Sequence, residues 1–208
     1  AAAEHDPVRH VREGDRRGEV GQVVGLLRLA FRAPLDQYHV QRVGQPRNRV
    51  ELYTKAIHYT PTIPWRLFTS HNGGAFEDIT VLMSSGSIRA RGSTGQFSDF
   101  IILLDNRSSA SVINSKIGSL TNTVNDNRDK ITALLESAIE NGINDTQAAL
   151  AVNNDDAALS AVDSLILLID NASGSEIADV WRSSGDVVNV KGLLLTQLQT
   201  LRFSLRTL

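Results

Sequence analysis

One spacing constrains this chain more than any other feature. Ile117, Val124, Ile131, Ala138, Val152, Leu159 and Ile166 fall in one class of a seven-residue repeat, and Ile113, Leu120, Leu134, Ala148, Val162 and Ile169 fall in the other. Apolar steps that alternate four and three lay a stripe along one side of an α-helix, and such a stripe has to be covered. β-branched residues at Ile117, Val124 and Ile131, with Leu120 and Leu134 in the other class, are the combination that favours a parallel two-stranded coiled coil. Polar residues interrupt the stripe. Asn127, Asn141, Asp145 and Asp155 stand at seam positions, Gly142 lies mid-segment, and Asn153 to Asp156 form a polar cluster. Two arrangements satisfy this pattern. One is a continuous rod over 109–169, roughly 85 Å long at 1.5 Å per residue. The other is a set of shorter helices folded back at 141–145 and 153–156. The cover for the seam is either another chain or the protein's own sheet and C-terminal helix.

The flanking segments read differently. Residues 1–18 are charged and aperiodic, as a flexible arm is. Within 19–75, Val20, Val23, Val24, Leu27 and Phe31 predict a short amphipathic helix ended by Ala33-Pro34, and an irregular stretch follows with extended pieces at 50–53 and 65–68. Residues 76–105 read as a three-stranded antiparallel meander: alternation at 79–82 and 88–91, an apolar run at 100–104, and turns at Ser85-Gly86 and Gly92-Ser93-Thr94-Gly95. The heptad segment occupies 109–170, with Ser108 or Ser109 as its cap. In 171–208, Glu176–Arg182 suggests a short helix, Val187–Val190 a strand, and Leu194, Leu198, Leu201, Leu205 and Leu208 a C-terminal amphipathic helix with Arg202 and Arg206 near its negative end. The fold class expected is α+β and mainly α: long amphipathic helices, as a coiled coil or bundle, with a small antiparallel β-meander. Aromatic residues make up only 5% of the chain, which suits an aliphatic helical core.

Little here points to catalysis. The absence of cysteine excludes disulfides, thiolate metal sites and thiol chemistry. His5 and His10 bracket a short polar stretch without further ligands in reach, and His39, His58 and His71 are scattered, so no metal and no cofactor is expected. No Gly-x-Ser-x-Gly elbow occurs. Gly92-Ser-Thr-Gly95 lacks the phosphate-loop pattern and reads as a turn. No apolar run is long enough to span a membrane. Residues 1–55 carry ten Lys/Arg against seven Asp/Glu, whereas 105–170 carry four against ten. Within the basic part, Arg42, Arg47 and Arg49 are the candidates for contact with an anion or nucleic acid, although the chain's pI near 6.2 argues against a dedicated nucleic-acid binder. The candidate association seam comprises Ile113, Ile117, Leu120, Val124, Ile131, Leu134, Leu159, Val162, Ile166 and Ile169, continued by Leu194, Leu198, Leu201 and Leu205 on the last helix.

The stretch from Ser111 to Leu134, rich in Asn, Asp and Thr around its apolar stripe, resembles the polar coiled coils of bacteriophage tail fibres and related virion proteins. The similarity covers residues 111–170. It implies a small β-rich attachment region joined to a helical shaft, the order of 76–104 and 109–169 here. The function expected is therefore non-enzymatic: a structural or assembly protein, of a virus particle by that resemblance, associating through helix packing as a homo-oligomer or with other assembly proteins. The alternative is a helical adaptor that receives another protein on its seam. A location in the virion follows only from the resemblance.

Overall fold

A computed structural model of the chain describes residues 37–42, 48–60, 62–71, 73–84, 86–94, 99–180 and 187–207; for 37–42, 48, 56–59, 86 and 87 it describes the backbone alone. Among the described residues, seven strands and four α-helices follow one another: β1 (Gln37–Arg42), β2 (Asn48–Tyr59), β3 (Trp65–Ser70), β4 (Phe76–Asp78), β5 (Thr80–Ser84), β6 (Gly86–Thr94), β7 (Asp99–Leu104), then α1 (Ser109–Asp126), α2 (Ala133–Ala151), α3 (Asp155–Asn171) and α4 (Val190–Leu205). The N-terminal arm and the helix expected at 20–31 lie outside the described residues.

The strands form two antiparallel sheets, one ordered β1-β2-β6-β5 and the other β4-β3-β7. Strand side chains alternate between faces. Val50, Leu52, Ile88 and Ala90 therefore point into a core with Trp65, Leu67, Ile79 and Met83, while Arg49, Glu51, Tyr53, Arg89 and Arg91 point away from it. Ile79 carries the chain from one sheet to the other, its N–H donating to the Leu67 carbonyl at 2.8 Å. The expected meander is corrected in two respects. The last strand, β7, pairs with β3 and not with β6, and β3 grows from the extended piece expected at 65–68, outside the expected meander. Gly92 is also no turn residue, since it lies within β6. A Cβ there would stand 2.6 Å from the Ile79 carbonyl oxygen, so the glycine lets two backbone segments meet.

The helices fold back on themselves, and no long coiled coil forms. Ser108 caps α1, its hydroxyl accepting from the Ser111 N–H at 3.3 Å. The helix ends at Asp126; a 3-10 turn over Arg128–Lys130 follows, and Ile131 then runs extended and bridges to Ile177. A second break falls at Val152–Asn154, where Asn153 takes a positive φ of 53° and Asn154 caps α3 by accepting from the Ala157 N–H at 3.1 Å. Gly142, read as a candidate break, is instead mid-helix in α2. A Cβ on it would lie 2.5 Å from Leu165 Cδ2, so the glycine is where α2 and α3 close upon each other. α4 is flanked by α1 and α3 and also touches β5 and β6, which explains why Leu194, Leu195 and Leu198 have no exposed surface. Further corrections follow at 176–190. Ile177 forms an isolated bridge where a helix was expected, and Asn189 caps α4 where a strand was expected, accepting from the Gly192 N–H at 2.9 Å. The fold class is thus not mainly α: two sheets and four helices share the chain.

Candidate anion-binding cleft

The register of β2 against β6 sets Arg49 opposite Ser93, Glu51 opposite Arg91 and Tyr53 opposite Arg89. Cross-strand partners share a face, so one side of this strand pair carries three arginines and one carboxylate. Glu51 accepts from both Arg91 and Arg89, the latter at 2.9 Å, and the Arg89 guanidinium also lies 4.9 Å above the Tyr53 ring centroid. Arg49 is exposed and makes no ion pair with any described residue.

The C-terminal turns of α4 close this face. Ser93 Oγ donates to Gln199 Oε1 at 2.9 Å and ties the helix to β6. Arg202, Phe203 and Arg206 then stand across from Arg49, Val81 and Leu82, and between them lies a cleft of about 470 Å³. Arg202 is committed, its Nε 2.5 Å from Asp163 Oδ1 and its Nη2 3.1 Å from Asp163 Oδ2. Arg206 is exposed at the helix end, where cations complement the partial negative charge of the last carbonyls. That role accounts for Arg202 and Arg206 but not for Arg49, which reaches the same cleft from a strand. The arrangement presents two guanidinium groups without a described carboxylate partner, each able to donate in a fork to an oxyanion.

A second charged group lies deeper. Lys116 sits on the buried side of α1 beside Ile113, Ile117 and Leu120. Its Nζ is 2.6 Å from Asp78 Oδ2 and donates to Thr200 Oγ1 (2.7 Å), the Thr200 carbonyl (3.0 Å) and Ser204 Oγ (2.7 Å). Burial pushes its pKa down, and the Asp78 charge opposes that shift. Thr80 fixes the carboxylate, donating to Asp78 Oδ1 through N–H (2.8 Å) and Oγ1 (2.6 Å). Nearby, burial pushes Asp105 up, but hydrogen bonds and charge from Arg107, helped by Arg66, prevail and hold its carboxyl below the usual value. The ammonium meets more oxygens than it has protons to give, so Lys116 serves as a clamp between α1, α4 and β4.

The structure turns the expected seam inward. Ile113, Ile117, Leu120, Val124, Ile131, Val162, Ile169, Leu194, Leu198, Leu201 and Leu205 are buried in one core, with Leu159 and Ile166 packed partly against it. The cover of the seam is the chain itself. Leu134 is a correction: it is 84% exposed, because the break at 127–132 rotates the register and gives the buried place to Leu135. Of the basic candidates, Arg49 reaches the cleft, Arg42 is described by backbone alone, and Arg47 lies outside the described residues. His5 and His10 also lie outside them. Among the described residues no group of three His, Asp or Glu side chains could hold a metal, and no helix is long and apolar enough to cross a membrane. Sequence reasoning missed Lys116 as a buried cation. The signal was a lysine between Ile113 and Ile117 on an otherwise apolar stripe.

Fold and cleft together define a mixed protein of two antiparallel sheets and four helices, with a basic cleft where a strand pair meets the last helix. A family model matches residues 44–208, all of the described fold except β1, and the chain belongs to that family, described as a family of unknown function (DUF6689). No curated protein matches the chain.

Proposed function

We propose that this chain is a non-enzymatic binding module that recognises an anionic partner at the cleft between β2, β5, β6 and the end of α4. One observation carries the reading: Arg49 and Arg206 come from different elements, converge on one cleft and have no carboxylate partner among the described residues. Cations left open in a concave site attract an oxyanion and donate hydrogen bonds that a charged acceptor strengthens. Assembly through the helical seam is not part of this reading, since the seam is already covered. Titration with tripolyphosphate at low ionic strength tests the proposal. Binding is expected to weaken as salt is added and to fall about tenfold or more in Arg49→Gln, the loss of a hydrogen bond to a charged group. No binding, or binding indifferent to Arg49, overturns it.

A second reading keeps the assembly role expected from the sequence, including a place in a virus particle. It draws on aliphatic residues left open on the helical side, Leu134 at 84% and Leu167 at 64% exposure. Sedimentation across a wide concentration range tests it, and a monomer throughout would remove self-assembly.

A further inference from the structure

Resting on the reading of the cleft as an anion site, we infer that its ligand is a compact organic anion with an apolar body, of the phosphate-monoester kind, and not a bare inorganic ion. The cleft is lined by two unlike kinds of side chain. Arg49 and Arg206 supply cations, while Val81 and Leu82 of β5 and Phe203 of α4 supply an apolar wall. Leu82 stays 41% exposed there, an aliphatic side chain in water beside two cations. The Arg66 guanidinium lies over the Phe203 ring, 5.0 Å from its centroid. An inorganic ion would satisfy the guanidinium groups and leave Leu82 and Phe203 hydrated. An amphiphilic anion satisfies both kinds of side chain, because covering the apolar lining adds a hydrophobic contribution to the charge-assisted hydrogen bonds. The volume agrees. About 470 Å³ lies in the range of small-molecule sites and far exceeds what a lone phosphate fills.

Calorimetric titration of the full chain with phenyl phosphate, inorganic phosphate and phenol tests this. Phenyl phosphate is expected to bind about tenfold more tightly than inorganic phosphate, and phenol not measurably. Leu82→Thr, which keeps a strand-forming residue at an exposed position, is expected to erase most of that preference while leaving inorganic phosphate unchanged. Arg49→Gln and Arg206→Gln are expected to weaken both anions. Phenyl phosphate binding no better than inorganic phosphate overturns the inference. If tripolyphosphate then still binds in an Arg49-dependent way, the anion cleft survives without it. Phenol binding as well as phenyl phosphate also overturns it. Binding of no anion removes the inference and the cleft reading together. Circular dichroism of each variant separates lost binding from lost fold.

Discussion

Lys116 shows how much a single side chain can decide in this molecule. Its ammonium and the Asp78 carboxylate are both nearly closed to solvent, with side-chain exposures of 9% and 3%. Charges so placed are tolerated only because each satisfies the other, so removing one partner costs more than the pair ever contributes. Lys116→Met is expected to destabilise the fold by about 3–5 kcal/mol, the cost of leaving a buried carboxylate without its cation. Lys116→Met combined with Asp78→Asn is expected to recover a good part of that loss. Urea unfolding midpoints of the two variants check both statements. A single variant within 1 kcal/mol of the parent, on the roughly 0.5–1 kcal/mol scale of an ordinary surface ion pair, would show that the clamp is not structural.

Gly142 makes the corresponding point for an element. Inside a helix, glycine is weaker than alanine by about 1 kcal/mol, so propensity alone argues that Gly142→Ala stabilises α2. Packing argues the reverse, because the new Cβ would lie 2.5 Å from Leu165 Cδ2 and 2.7 Å from its Cγ. Overpacking of a closed core costs about 1–3 kcal/mol. Gly142→Ala is therefore expected to lower stability, and adding Leu165→Ala is expected to cost less in that background than in the parent. Thermal unfolding of the double-mutant cycle reads the coupling. A stabilised Gly142→Ala would mean that α2 and α3 do not meet at this point. The same element shows why a break was sought in the wrong place. Glycine in a polar stretch signals a turn by composition, whereas its actual role depends on Leu165, more than twenty residues further along the chain.

At the scale of the whole molecule, α4 joins the parts. Leu194, Leu198 and Leu201 complete the helical core, Phe203 packs against the sheet core, and the Lys116 and Ser93 contacts hold the helix from both sides. A chain of 208 residues has room for separable units, but a shared central helix opposes separation. One cooperative transition is expected, with far-ultraviolet circular dichroism reporting the helices and tryptophan fluorescence including the Trp65 buried between the sheets. Leu198→Ala is expected to lower both midpoints together, with a loss of about 2–5 kcal/mol in stability. Two separated transitions would mean that the sheets and helices unfold independently.

What the sequence determined by itself is local. Alternation at 88–91 marked a strand and its two faces, 50–53 read as an extended piece, Ser108 or Ser109 marked a helix start, and the leucines from 194 to 205 marked an amphipathic helix; each signal lies within one turn or one strand of the residues it governs. The buried stripe from Ile113 to Val124 was legible for the same reason, as was the need to cover it. The cover itself was not legible. A heptad register runs across a break as readily as along a helix, and Ile131 keeps the spacing while standing in a bridge to Ile177. The pairing of β7 with β3, the closing of α2 on α3 and the burial of Lys116 depend on partners distant in the chain. So does the cleft. Arg49 was a candidate on its charge alone, but only the tertiary structure brought it to the same cleft as Arg206, because 156 residues of chain lie between the two and no periodicity reaches that far.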